Sequence, residues 1–425
     1  MQLKPLICNP PKQHIAPAAW PFLAMLAVGL LLPSNGDHSA FNPKALSLYI
    51  ALIATICHAF TARSLNYNQI RLVIVVASIV LLLVWEIFVF HLQQPLQDSH
   101  TSFGQFKIFA TTVLVAFMMI YWHLDGGVPF GALLKTVLIS NMVYSAVKMV
   151  IMVAVLLGFL DIFTVLGWGF SAMTTGIGEN LIRLQTSTDI PTPYLLFFAF
   201  MAPSLGVKLS RSFITLYTLL SLSTLFFSFS RYLWAVAAVG YVASLWSYSA
   251  LGVAKRAMLG AILLAIAVAS IGIEESTNIV WSRFFSDETK YSDFQRYEQV
   301  DALVSKFQTG PCLGHGLGSY SEECIRASAQ PFSYEVQWVS FLMQFGLIGC
   351  SILALTTLTM GWAYLSPPWT ITKLSFLAMY LLWLASGFTN PFLISMNSGT
   401  LFGLFYVIGL RLFAQNRQAG VYNTV

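Results

Sequence analysis

Residues 70–91 read IRLVIVVASIVLLLVWEIFVFH. As a helix at 1.5 Å per residue this stretch spans about 33 Å, the thickness of a bilayer's hydrocarbon core. Arg71 lies at its edge and Glu86 inside it. Similar apolar runs recur along the chain, at Pro17–Leu32, Lys44–Thr61, Phe106–His123, Gly131–Phe159, Pro191–Val207, Arg211–Phe229, Arg231–Tyr248, Arg256–Ile273, Glu335–Leu365, Thr370–Phe388 and Ser398–Phe413. The composition agrees. Of 425 residues, 57% are hydrophobic and 9% charged, and mean hydropathy is +0.73. A soluble chain carries roughly 25% charge, so too few charges are present to coat water-facing domains. The fold class expected is an all-α integral membrane protein with about twelve transmembrane helices. The first helix is expected to act as an uncleaved anchor, because no cleavage signature precedes it.

The charges set the expected orientation. With the N-terminus inside, the cytoplasmic ends hold Lys4, Lys12, Arg63, Arg71, Lys135, Lys208, Arg211, Lys255, Arg256, Lys373, Arg411 and Arg417, against the acidic Asp125 alone. Asp37, Asp98, Asp161, Glu179 and Asp189 fall outside. This positive-inside bias predicts N-in and C-in termini, and a dropped span would reverse it downstream. The net charge of +5 is thereby explained by topology, and nucleic acid is not an expected partner. The division that follows is a membrane domain over 1–273 with an outer loop at 161–190, a large periplasmic loop over 274–334 between helices 9 and 10, and a membrane domain with a cytoplasmic tail over 335–425. Phe294, Tyr297, Val300, Leu303, Val304 and Phe307 follow helical spacing, so the large loop is expected to be ordered. Cys312 and Cys324 lie in it, and the sequence leaves both a disulfide and two free thiols open.

Ionisable groups inside spans need partners. Glu86 and Lys148 are expected to pair with each other. Arg231, in Ser230–Arg231–Tyr232, opens a span at the outer interface with no loop before it, which fixes a guanidinium on rigid elements. A snorkelling helix anchor is the plain alternative. Among the loop cations Arg283, Lys290, Arg296, Lys306 and Arg326, Arg296 stands in Gln295–Arg296–Tyr297. It is followed by Gly310–Pro311–Cys312–Leu313–Gly314–His315–Gly316–Leu317–Gly318–Ser319–Tyr320. Alternating glycines allow close backbone approach and can expose N–H groups to an anion, although a tight turn would need the same residues. Neither a phosphate-loop lysine nor a dinucleotide fingerprint is present.

In this order, and followed by Tyr334–Glu335–Val336–Gln337–Trp338 through Gly346 and Gly349, these elements resemble the bacterial O-antigen ligase and O-antigen polymerase superfamily, over about Phe226–Gly349. The resemblance implies glycosyl transfer at the periplasmic face of the inner membrane from an undecaprenyl-pyrophosphate-linked glycan. The chain-length regulator or flippase of the same pathway would be the protein partners. It also implies that Arg231 and Arg296 bind the pyrophosphate; beside them, Gly314, Gly316 and Gly318 are the candidate substrate-binding backbone, and Tyr320 is either a ring to stack on sugar or an interfacial anchor. The ligase branch carries a catalytic histidine near the start of the span after the loop, where Glu335 stands here. Glu335, desolvated beside Tyr334 and Trp338, and His315 are therefore the candidate general bases. No dense carboxylate cluster suggests a metal, and no cofactor is expected. Polymerisation of repeat units is the favoured reading. Transfer to lipid A-core and a lipid-linked oligosaccharide flippase are the alternatives.

Overall fold

The structure is a computed structural model that describes residues 14–32, 42–62, 65–93, 99–167, 176–177, 181–182, 184–246, 287–325, 328 and 330–422. The expected span at Arg256–Ile273, the first part of the large loop with Arg283, and Arg326 lie outside these residues. The helices are α1 (Trp20–Leu31), α2 (Pro43–Thr61), α3 (Tyr67–Gln93), α4 (Ser99–Leu124), α5 (Phe130–Leu156), α6 (Ile162–Gly167), α7 (Thr192–Met201), α8 (Arg211–Ser228), α9 (Arg231–Leu245), α10 (Asp287–Gln308), α11 (Gln337–Leu365), α12 (Ile371–Ala385) and α13 (Met396–Tyr422). One pair of two-residue strands, β1 (Gly176–Ile177) and β2 (Leu181–Ile182), is antiparallel.

Local chemistry sets several helix starts. The Asn42 side chain accepts the Lys44 N–H at 3.0 Å, with Pro43 in the first turn of α2. Ser210 caps α8 through the Phe213 N–H, and Thr370 caps α12 through the Lys373 N–H. The bundle packs α13 on α4, α3 on α4, α1 on α2 and α5, α5 on α8, and α11 on α13. Every residue of α7 is buried, as expected of a helix apolar on all faces.

Seven helical segments among the described residues are long and apolar enough to cross a membrane: α2, α3, α4, α5, α11, Ile371–Phe388 and Met396–Gln415. Among the described residues the expected count of twelve is not confirmed. The first expected span is a shorter helix, as is α9. Pro191–Val207 folds as the ten-residue α7 and a 3-10 turn over Ala202–Leu205, closed by Gly206 in the left-handed region. At about 15 Å, α7 is too short to span. A further correction concerns the buried charges. Lys148 pairs with Asp189 at 2.8 Å, both fully buried, and does not pair with Glu86. Tyr144 donates to Asp189 at 2.9 Å and Lys148 also donates to the Thr224 carbonyl. The buried pair is thus held by several hydrogen bonds, with both Asp189 oxygens and two of the Lys148 ammonium donors engaged.

The described part of the large loop, from residue 287 on, is built around α10, which covers the stretch with helical spacing and packs on α11. Its glycine-rich end inserts into a break in α11. Gly346 has φ 60° and ψ −169°, which interrupts the helical ladder. An intact helix would bond Leu347 N–H to the Met343 carbonyl and Ile348 N–H to the Gln344 carbonyl. Here the Leu347 and Ile348 N–H groups donate to the carbonyls of Pro311 and Cys312, at 2.9 and 3.2 Å. The Met343 and Gln344 carbonyls accept from His315 and Gly316, at 3.0 and 2.8 Å. The loop therefore supplies the four backbone partners that the break removes, which apolar surroundings require. A Cβ on Gly314 would run into the Gln344 carbonyl, and one on Gly316 into the backbone of α3 at Phe90 and Glu86. Both glycines also have positive φ. Gly316→Ala should prevent folded protein from accumulating in membranes. Gly131→Ala, whose added methyl meets only Val207 at 4.0 Å, should accumulate like the parent; quantitative blotting of membrane fractions checks both.

Candidate functional site

Arg231 is the first residue of α9. The preceding helix ends at Ser228, and Phe229 closes it in the left-handed region, φ 46°. A non-glycine residue held there is unusual and requires surrounding packing. That packing comes from Phe226 against Phe229, Phe226 stacked on Trp234, and a Trp234 Nε1–H donated to the Leu225 carbonyl at 2.8 Å. The corner of Phe229 and Ser230 therefore fixes where the Arg231 guanidinium begins.

Facing it are α10 and the chain entering α11. Arg231 Nη2 lies 3.9 Å from Asp293 Oδ1. The same Asp293 oxygen accepts from Arg296 Nη1 at 2.6 Å. Arg296 Nε donates to Glu335 Oε2 at 2.7 Å. The Glu335 N–H donates to the Oε1 of buried Gln299 at 2.9 Å, which ties the segment before α11 to α10. Arg231 and Arg296, far apart in sequence, thus meet at one aspartate, and Glu335 joins the cluster through Arg296. Sequence reasoning missed Asp293, although its place three residues before Arg296 on a helix was a readable signal for an ion pair. It also missed Gln299.

The arrangement suits an anion. Two guanidinium groups converge, and planar guanidinium forks grip phosphate oxygens in two-pronged fashion. Asp293 is half exposed, so its pairing is screened by water and contributes at most about 1 kcal/mol. A pairing this weak leaves the two guanidinium groups able to exchange it for another anion.

Other predicted site residues stand elsewhere. His315 is buried, and its Nε2 bonds to the Lys306 carbonyl at 2.7 Å and to Thr309 Oγ1 at 3.1 Å. Burial, assisted by the Lys306 charge, holds its pKa below the usual imidazole value. These bonds pin the loop to the end of α10, away from the Arg231–Arg296 cluster's hydrogen bonds. The expected anion cradle at Gly314, Gly316 and Gly318 is also corrected. Their N–H groups donate to the Gly310 carbonyl, the Gln344 carbonyl and Gln105 Oε1. Leu317 and Ser319 N–H groups are engaged too, by the Glu86 and Gly316 carbonyls. Tyr320 faces Lys306, whose Nζ donates to the Tyr320 carbonyl and lies 6.0 Å from its ring. The aromatic shield expected over Glu335 is engaged elsewhere: Tyr334 OH bonds Ser321, and Trp338 Nε1 donates to the Leu384 carbonyl at 2.7 Å. Cys312 and Cys324 are free thiols. Among the described residues, no three His, Cys, Asp or Glu side chains are grouped to hold a metal.

With this geometry in view, residues 216–354 match the family described as O-antigen ligase. The match runs from α8 through Arg231, α10 and the glycine-rich insertion to beyond the break in α11. Comparison with curated proteins found no match. Over this third of its length the chain is similar to the O-antigen ligase family, and its seven long apolar helical segments suit a protein that crosses a membrane several times.

Full-length protein in lipid nanodiscs should bind inorganic pyrophosphate. Asp293→Asn, which removes the competing carboxylate, should tighten binding about threefold or more, and Arg231→Ala should weaken it about tenfold. Calorimetric titration checks this.

Proposed function

We propose that the protein is a polysaccharide repeat-unit polymerase of the inner membrane, working at the periplasmic face. The observation that carries this reading is the convergence of Arg231 and Arg296 on a single displaceable carboxylate beside Glu335. The donor is a glycan on undecaprenyl pyrophosphate. The acceptor is a sugar hydroxyl at the non-reducing end of a second lipid-linked unit. In the transfer, the acceptor oxygen forms a bond to the anomeric carbon as the bond from that carbon to the phosphate oxygen breaks. Charge builds on the departing diphosphate, and the two guanidinium groups, held by helix backbones, compensate it. Glu335 takes the acceptor proton, and its bond to Arg296 orients it toward the diphosphate. The arginines occupy the role that a divalent ion fills in other transferases, so turnover should survive chelation. The gathering of Arg411, Leu205 and Phe130 at one end of the bundle supports the expected cytoplasmic side, with the arginine cluster outside.

A ligase passing the glycan to lipid A-core is favoured by the description of the matched family. It would use the same arginines, so the acceptor alone separates the two. Glu335 in place of the ligase histidine supports the polymerase.

Arg231→Ala, Arg296→Ala and Glu335→Gln should each abolish chain extension while the protein still inserts, read as loss of the polysaccharide ladder on gels. Normal ladders from the arginine variants reject the diphosphate role, and a normal Glu335→Gln ladder rejects the base. Deleting the gene should leave core carrying one repeat unit. A bare core, with polymer accumulating on undecaprenyl, would make the protein a ligase.

A further inference from the structure

A cavity of about 110 Å³ lies between α4, the first turn of α11 and the chain leading into α13. Its wall carries Gln330, Ser333, Gln337 and Ser340, with Phe332 and Phe341 as apolar sides. Among the described residues, no charged side chain lines it. Ser340 is 2% exposed, and its Oγ has no hydrogen-bond partner among the described residues. A buried hydroxyl left in that state costs about 1–3 kcal/mol, so the site is built to meet a polar group. Gln337 is also buried, and its Oε1 accepts the Leu393 N–H at 2.8 Å. That bond fixes the amide of a residue that lines the cavity, and an amide so held has its Nε2 hydrogens to offer a ligand.

Neutral amides and hydroxyls between aromatic faces define the ligand chemistry. A free phosphate or carboxylate finds no counter-charge here, and a lipid chain would bury these polar groups unpaired. A pyranose presents hydroxyls around an apolar ring face, and amide and hydroxyl side chains match the first while aromatic faces match the second. The space holds several waters, or the substituted edge of one sugar ring. The cavity also adjoins the proposed reaction site. Tyr334 and Gln337 both line it, and Glu335 stands between them, within about 8 Å of either along the backbone.

We infer that this cavity is a saccharide subsite, in which Ser340 and Gln337 recognise the hydroxyl or acetamido substituents of one uncharged pyranose residue of the glycan. Its place beside the transfer chemistry rests on the proposed function; its capacity to bind sugar does not. The two residues would set which repeat unit is accepted.

The test uses full-length protein in lipid nanodiscs, free of sugar-headed detergent. The probes are the methyl glycosides of glucose, galactose, mannose, rhamnose and N-acetylglucosamine, read by saturation-transfer NMR. At least one glycoside should be saturated by the parent protein. Ser340→Leu, which fills the cavity, should lower that affinity about tenfold. Gln337→Glu, which keeps an acceptor for the Leu393 N–H but removes the cavity donor, should do the same and decides the question if Ser340→Leu fails to fold. Arg231→Ala should bind the glycoside normally while losing pyrophosphate. Absence of saturation with every glycoside, or unchanged saturation in a folded cavity variant, overturns the subsite. Glycoside binding that responds as expected, together with polymer synthesis by Arg231→Ala, would leave the subsite standing and remove the transfer mechanism.

Discussion

The break in α11 at Gly346, and the loop that fills it, hold the arrangement together. Two carbonyls and two N–H groups of a membrane helix lose their partners there, and in apolar surroundings each loss is costly. The segment from Pro311 to Gly316 restores all four bonds. That exchange locks the end of the large loop to α11, α3 and α4, and Gln105 joins it by bonding both Gly318 and Gln344. The loop is therefore a structural part of the bundle, and α10, which it follows, is anchored at its C-terminal end.

Anchoring α10 positions chemistry. Asp293 and Arg296 stand on one face of that helix, Glu335 lies at the entry to α11, and Arg231 opens α9. Each guanidinium begins on rigid backbone, so the groups need little reorganisation when negative charge develops between them. Asp293 and Glu335 together offset the two positive charges of the cluster. Glu335 and the Gln299 bond behind it join the helix carrying Arg296 to the segment walling the polar cavity.

Much of this was legible in the sequence. Apolar runs such as residues 70–91 identified a helical membrane protein, because hydrocarbon thickness fixes the length of a span. Arg231 and Arg296 were readable because a cation expected on the outer side runs against the charge bias. The glycines were visible, but their purpose was not. Alternating glycines serve anion binding or close packing, and only the location of Gly346 decides for packing. The partner of Lys148 was likewise hidden, since Asp189 lies beyond the span and returns to the bundle through a capped turn. The α7 segment read as a span because its sequence is uniformly apolar, which marks a core helix equally well. His315 illustrates the general limit. A neutral-range side chain in a loop suggests acid–base work until its hydrogen bonds are known.

The central claim is that the face between Arg231 and Arg296 is open to the outside and receives a diphosphate. Its most direct test places a cysteine at Asp293 in a chain whose native cysteines are replaced by serine, and labels intact cells with a membrane-impermeant maleimide. The account predicts labelling without permeabilisation, and protection when lipid-linked glycan accumulates. Labelling only after the membrane is opened, or labelling indifferent to the substrate, would contradict it.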